Sequence, residues 1–306
     1  MWSYTLRRLL ATIPTLLAVI TVCYILVHAA PGGPFDSDKQ VSEAVLANLQ
    51  AKYHLDQPVW KQYLLYLNNL LHGDLGASFR YADWSVNDLV AAALPVSLSI
   101  GGISMVISFV IGTGLGIAAA LRQNSVADYS VMLVGNLGSV FPSFVIGPVL
   151  VLVFALTLKW LPAGGWDAFA PQFMIMPIAL LTFINVATIA RVMRGSLIEV
   201  MHSNFIRTAR AKGLPTRIVV LRHALKPALL PVISVMGPLA ISSITAALVT
   251  ETVFSLPGIG KLIVNGAGNR DYTLVLGLVV LITLLAVLMN FLVDLAYAAL
   301  DPKIRY

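Results

Sequence analysis

The sequence predicts an all-α polytopic membrane protein with six transmembrane helices and a small helical excursion between the first two. Composition is one observation behind this. Of 306 residues, 58% are hydrophobic and 11% charged, with a mean hydropathy of +0.85, which is more apolar surface than a soluble domain of that length can cover. Spacing is another. Stretches free of Asp, Glu, Lys and Arg run over 9–35, 89–121, 129–158, 168–190, 227–250 and 272–293, each longer than the about 20 residues a helix needs to cross the hydrocarbon core. Charge placement completes the case. Six spans put both termini on one side, and 13 of the 20 cations fall there, among them Arg7, Arg8, Arg122, Lys303, Arg305 and the eight from Arg191 to Lys226. The positive-inside rule makes that side cytoplasmic.

Taken in order, the first element is a retained anchor over 1–30. Arg7 and Arg8 precede an apolar run that continues from Leu9 to Ala30, long enough to span rather than to be a signal core. Cys23 is alone, so no internal disulfide forms. Residues 31–93 form an extracytoplasmic excursion. Ser37 and Gln40 have capping-box spacing, with Val41, Val45 and Leu49 following at helical intervals. A second helix starts at Pro58, carries Trp60, Leu64, Leu67 and Leu71 on one face and stops at Gly73. Ser85 and Asp88 repeat the capping box, which predicts a short interfacial helix before the second span. The remaining five spans occupy 94–298, with a long loop at about 191–226 and a cytoplasmic tail at 299–306.

Helices in lipid associate through close backbone approach, so stripes of small residues predict the contacts. The second span offers Ser104, Ser108, Gly112, Gly116 and Ala120, and the third Gly135, Ser139, Ser143 and Gly147. Pro142 and Pro148 kink or loosen the third span. Only Glu251 and Asp294 bring charge near span interiors. They lie at opposite ends of their spans, about 30 Å apart in depth, which assigns them structural roles and argues against a shared proton-coupling site. Neutral polar groups (Asn136, Asn185, Thr188, Ser242, Ser243 and Asn290) make up the rest, as suits a conduit whose selectivity lies elsewhere.

No catalytic engine is visible. "SLPGIGKL" at 255–262 imitates a phosphate loop, but Ser255 replaces its first Gly and Leu262 the Ser/Thr that would hold magnesium. "GTGLG" at 112–116 lies inside a span and follows no strand. His28, His54, His72, His202 and His223 form no paired-ligand pattern, so neither a zinc site nor an intramembrane metalloprotease is supported. Energy has to come from a partner or from an ion gradient.

The stretch "NFIRTARAKGLPTRIVVLRHALKPALLP" at 204–231 holds six Lys or Arg and no acid. Built as a helix over 203–214 with Ser203 or Asn204 as cap, it gathers Phe205, Ile206, Ala209 and Gly213 within a sector of about 100°. Arg207 points away, Arg210 and Lys212 flank the sector, and Gly213 with Pro215 ends the helix. Charge alone favours topology and contact with anionic headgroups, which explain the number of cations, and nucleic acid has no reading module here. An apolar knob with small neighbours and a built-in stop points instead to a groove on a protein partner.

The same stretch is similar to the cytoplasmic loop of bacterial ABC importer membrane subunits, whose general pattern is Glu-Ala-Ala, three residues, then Gly. Ala209 and Gly213 match it; Arg207 and Thr208 replace the Glu and first Ala, as in the peptide-importer branch. "ETVFSLPGIGKLIVNGAGNRDYTLV" at 251–275, "DPKIRY" at 301–306, "RRLLATIPTLL" and "KYHLDQPVWKQY" extend the likeness over nearly the whole chain. It most resembles the B-type membrane subunit of oligopeptide permeases. The resemblance implies a type I ABC importer permease fold, a heterodimer with a second homologous permease subunit, two cytoplasmic ATPase subunits and an extracytoplasmic peptide-binding protein. It implies no cofactor in this chain, with ATP and magnesium held by the ATPases, and no catalytic residue. Phe205, Ile206, Arg207, Thr208, Ala209, Arg210, Ala211, Lys212 and Gly213 would form the coupling helix. Relatives carrying dipeptides, nickel complexes or haem remain alternatives for the cargo, and an ion-coupled secondary transporter or a membrane scaffold for the class.

Overall fold

The computed structural model describes residues 2–29, 56–81 and 83–300, and every regular element in them is a helix. The predicted helix from Ser37 through Leu49 and the "DPKIRY" tail lie outside the described residues. The spans are α1 (Trp2–Ala29), α3 (Val86–Leu121), α4 (Val126–Val140) with α5 (Ser143–Leu150), α6 (Pro171–Met201), α8 (Leu225–Val253) and α10 (Tyr272–Leu300). Between them lie α2 (Val59–Leu71), α7 (Asn204–Ala211) and α9 (Ile259–Gly268). Five of the spans are long, apolar helices; the sixth is α4 and α5 taken together, bent by 99°.

That bend has a local cause. The residue before a proline is driven out of the helical region, and proline brings no N–H to the ladder. Phe141 is accordingly extended (φ −81°, ψ 122°), as is Pro142 (φ −62°, ψ 145°), so the predicted single third span is two helices. Beyond α5 the chain continues as a π-helical turn, Val151–Thr157.

The described residues fall into two compact units, one of 96–256 and 285–300, the other of 2–29, 56–81, 83–95 and 257–284. The first is organised around α6, whose Leu180, Ile189, Met193 and Leu197 are fully buried. Small residues let its neighbours approach. A methyl group on Gly112 would sit 2.8 Å from Ile189 Cβ, and one on Gly116 would sit 2.7 Å from the Ala190 carbonyl oxygen and 2.6 Å from Met193 Cβ. Ser104 and Ser108 continue the stripe, fully buried, with Ser108 Oγ bonded to the Ser104 carbonyl at 2.6 Å. α4 also packs on α6: a methyl on Gly138 would meet the Phe183 carbonyl at 2.9 Å, whereas one on Gly135 would lie in ordinary contact, 3.5 Å from Ala187 Cα. Past the bend, Gly147 faces Val253 and Leu180, and Ser143 is half-buried.

In the second unit, Ser85 and Asp88 do form a reciprocal capping box, but it starts α3 itself. Ser85 Oγ bonds Asp88 Oδ2 at 2.5 Å and accepts from Asp88 N at 3.1 Å, and the predicted short interfacial helix is the first turn of a 36-residue rod. α2 begins after Pro58 and ends before Gly73 (φ +76°). Its inward face is not the predicted one. Trp60, Leu64 and Leu71 are exposed, while Tyr63, Tyr66, Leu67 and Leu70 pack with Ile20, Tyr24, Leu276 and Val280. The Tyr63 hydroxyl helps fix this face, with a partner in Thr21 Oγ1 at 2.6 Å on α1. Asp271, fully buried, caps α10 by accepting from Leu274 N at 3.1 Å, and its other oxygen takes Ser78 Oγ, Phe79 N (3.2 Å) and Arg80 N (3.3 Å).

Gly116→Ala therefore lowers the thermal stability of the detergent-purified protein by about 1–3 kcal/mol through overpacking. Gly114→Ala on the same helix, with open space around its Cβ, leaves it unchanged.

A candidate docking helix

α6 ends at His202, and an extended Ser203 (φ −69°, ψ 156°) turns the chain into α7. Ser203 holds the N-cap position, but its carbonyl rather than its hydroxyl does the work, accepting from Arg207 N at 3.1 Å. The stop is as the sequence predicts. Gly213 adopts φ +79°, a left-handed conformation that side chains disfavour, and its N–H bonds Arg210 O at 2.9 Å. Pro215 follows, then a turn of helix (Thr216–Ile218) and a second π-helical segment (Val219–Ala224) that leads into α8.

The helix does not lie free. Ile206 is 0% exposed and Ala209 5%, both set in a cluster with Ile189, Met193 and Leu197 of α6, Val219 and Ala224 of the π segment, and Ala228 and Val232 of α8. This corrects the predicted geometry: Ile206 and Ala209, half of the apolar sector, face the chain's own core. Phe205, at the edge of that sector, is 49% exposed, and Arg207, Thr208, Arg210, Ala211, Lys212 and Gly213 are all exposed. At 100° per residue, Phe205, Thr208, Ala211 and Lys212 share the outer face. α7 thus presents one aromatic side chain amid cations while Ile206 and Ala209 root it.

Polar pairs tie the surrounding helices together. Arg194 on α6 grips Asp128 at the start of α4 with both ends of its guanidinium (Nε to Oδ1 2.5 Å, Nη2 to Oδ2 2.7 Å), and Asp128 is 1% exposed. Arg191 reaches Asn136 Oδ1 at 2.9 Å. The sequence reading put Asn185 and Ser243 among groups lining a conduit; they instead bond each other at 2.9 Å, buried between α6 and α8. Asn136, Ser242 and Asn290 are exposed. Glu251 is 1% exposed and accepts from Ser97 Oγ at 2.5 Å, joining the end of α8 to α3, whereas Asp294 lies half-buried on α10.

The look-alike motifs are packing features. Gly112 and Gly116 of "GTGLG" form the α3–α6 contact, and Gly258, Ile259 and Gly260 of "SLPGIGKL" are buried at the start of α9. Among the described residues, no group of three or more His, Cys, Asp or Glu is placed to hold a metal. The Asp128–Arg194 and Asp271 clusters escaped the sequence reading. Ser125 followed three residues later by Asp128, and Asp271 just before an apolar run, are the capping signals that would have found them.

Residues 112–306 match the family described as "Binding-protein-dependent transport system inner membrane component", and residues 1–101 match its N-terminal companion. The chain belongs to this family. It is thus a permease subunit, a multi-pass inner-membrane protein. Among its relatives is the "Oligopeptide transport system permease protein OppB" of Salmonella typhimurium, 54% identical over 306 residues and the whole of both chains. The protein of that name from Escherichia coli K12 is 53% identical over the same extent. The Bacillus subtilis "Dipeptide transport system permease protein DppB" is 40% identical over all of this chain and 98% of its own. In fold it is similar to a chain of the inward-facing MetNI methionine ABC transporter, with a TM-score of 0.60 over 70% of this chain and 96% of that one at 19% identity. That neighbour carries the type I permease architecture.

The burial difference on α7 separates two substitutions. Ile206→Asp buries an unpaired charge and lowers stability by more than about 3 kcal/mol, seen as loss of folded protein in membranes. Phe205→Asp leaves expression and melting temperature close to wild type.

Proposed function

We propose that this chain is the transmembrane subunit of an ATP-driven importer of oligopeptides, pairing with a second permease subunit to form the pathway. Two cytoplasmic ATPases supply the energy and an extracytoplasmic binding protein delivers the peptide. Both termini and the 191–226 loop face the cytoplasm, in keeping with the excess of cations there. The chain itself performs no chemistry, and ATP and magnesium belong to the ATPases.

The observation that carries this reading is the division of α7 between a rooted side and a presented side. A helix held only by lipid contact would transmit no force. Ile206 and Ala209 share one close-packed cluster with the ends of α6 and α8, so displacement of α7 by an ATPase groove moves both spans as a body. Phe205 supplies the anchor, and Arg207, Arg210 and Lys212 the charged rim. α3 and α4 follow α6 through the glycine contacts and the Asp128–Arg194 pair. The bend at Phe141 and Pro142 and the two π-helical segments are the places where such a displacement can be absorbed. Oligopeptide cargo is favoured over dipeptides by the higher identity to the OppB proteins, 54% against 40% for DppB.

Loss of one aromatic anchor from such an interface costs about 2 kcal/mol or more, about thirtyfold in affinity. In the assembled transporter, Phe205→Asp abolishes peptide-stimulated coupling while ATP hydrolysis by the ATPases persists. Gly213→Pro does the same, because proline cannot adopt φ +79° or donate the bond to Arg210 O. Normal uptake of a radiolabelled tetrapeptide by both variants at wild-type expression refutes the assignment.

A further inference from the structure

The second unit contains a cavity of about 250 Å³ that the transport reading leaves unused. It is walled by Tyr24 and His28 of α1, Tyr66 of α2, Asp74 and Phe79 of the following loop and Tyr272 of α10. Its rings form a continuous set: His28 stacks on Tyr24 with centroids 4.1 Å apart, lies 5.7 Å from Tyr272, and Tyr272 is 6.5 Å from Phe79. Among the described residues that line it there is no Lys or Arg, and the one acid is Asp74. Aromatic faces with a carboxylate and no fixed cation select a positively charged group.

Two further wall groups, His28 and Tyr66, can accept a hydrogen bond. His28 Nδ1 lies 2.9 Å from the Tyr24 carbonyl oxygen, which only accepts, so Nδ1 is the donor there, and the tautomer with its single proton on Nδ1 has Nε2 as an acceptor. Tyr66 is 9% exposed, and its hydroxyl is buried with no hydrogen-bond partner. Burial, with Cys23 and Tyr24 nearby, pushes that phenol above its ordinary value, so it stays an O–H. A buried, unsatisfied hydroxyl in a native fold calls for a partner, and a ligand N–H donor supplies one.

The cavity's place along α1 says what kind of ligand brings that group. Tyr24 and His28 occupy the last turns of an apolar span, and Ile13, Leu17, Thr21, Tyr24 and His28 fall on one helical face. Toward the middle of the span this face is open, with Ile13 60% and Leu17 48% exposed. A polar, aromatic cavity at the level where a span leaves the hydrocarbon thus continues into an uncovered apolar strip. That is the profile of a headgroup above an acyl chain. The cavity is also smaller than the about 300–1,000 Å³ of sites that enclose a whole drug-sized ligand.

We propose that this cavity binds the ammonium headgroup of an aminophospholipid of the phosphatidylethanolamine type, with an acyl chain lying along Leu17 and Ile13. The ammonium sits among the rings near Asp74 and donates to Tyr66 Oη and His28 Nε2. A quaternary headgroup satisfies the rings and the carboxylate but has no N–H to donate, and an anionic headgroup can take the Tyr66 O–H but is repelled by the ring faces and the carboxylate.

Native mass spectrometry of the full-length, delipidated chain tests this, with phosphatidylethanolamine, phosphatidylcholine and phosphatidylglycerol of identical acyl chains as probes. Phosphatidylethanolamine is retained about tenfold over phosphatidylglycerol, with phosphatidylcholine between them. Asp74→Asn and Tyr66→Phe each reduce phosphatidylethanolamine retention about threefold or more. Val106→Ala, on an exposed face of α3, does not change it. The lipid-free melting temperature of Tyr66→Phe stays level with wild type or rises, because the variant removes an unsatisfied hydroxyl; this separates lost binding from lost folding. Equal retention of phosphatidylethanolamine and phosphatidylglycerol overturns the proposal, as does undiminished retention by both cavity variants. Displacement of the lipid by trialanine also overturns it, by making the cavity a peptide site.

Discussion

The closeness of approach to α6 is the constraint on which the first unit rests. In lipid there is no hydrophobic gain from bringing two apolar helices together, since tails solvate leucine as well as leucine does. What remains is dispersion, which falls off steeply with distance, and hydrogen bonding. Gly112 and Gly116 on one side, and Gly138 on another, remove the atoms that would hold α3 and α4 away from the α6 backbone. Once α6 is gripped in this way, its end can hold Ile206 and Ala209 of α7 in the same packed cluster.

Matched pairs of buried polar groups supply the second kind of constraint. Asn185 meets Ser243, Glu251 meets Ser97, and Asp128 meets both nitrogens of the Arg194 fork. Every one of these joins two helices distant in sequence. An unmatched group at such a site costs more than its partner contributes, so the pairs fix register as well as proximity. Apolar side chains slide past each other at little cost; an amide that must find one hydroxyl does not. In the second unit Asp271 plays the corresponding role, holding the 78–80 loop and the start of α10 with a single carboxylate.

Much of this was legible in the sequence because lipid simplifies the code. Span number, the small-residue stripe of α3, the Gly213 stop and the Ser85–Asp88 cap all follow from local rules that tertiary contacts do not override. Direction was harder to read. On α2 the periodicity offered two apolar faces about 100° apart, and nothing local says that Tyr63 has Thr21 waiting on α1 while Trp60 and Leu64 do not. On α7 the same ambiguity hid that Ile206 faces inward. The break after α4 was foreshadowed by Pro142, yet a kink and a 99° turn look alike in sequence. Pairings such as Asn185 with Ser243 depend on two spans meeting at one height, which no single stretch of chain specifies.

The split character of α7 bears on how such a protein changes over time. Ile206 and Ala209 answer to residues of their own chain, so any change in them has to be matched within one gene. Phe205, Thr208, Ala211 and Lys212 face outward, and drift in them is limited only by whatever they touch. The two sides of one eight-residue helix therefore evolve on separate clocks. If the helix docks as proposed, a change of partner needs only its four outward positions redrawn, and leaves the scaffold's internal joinery untouched.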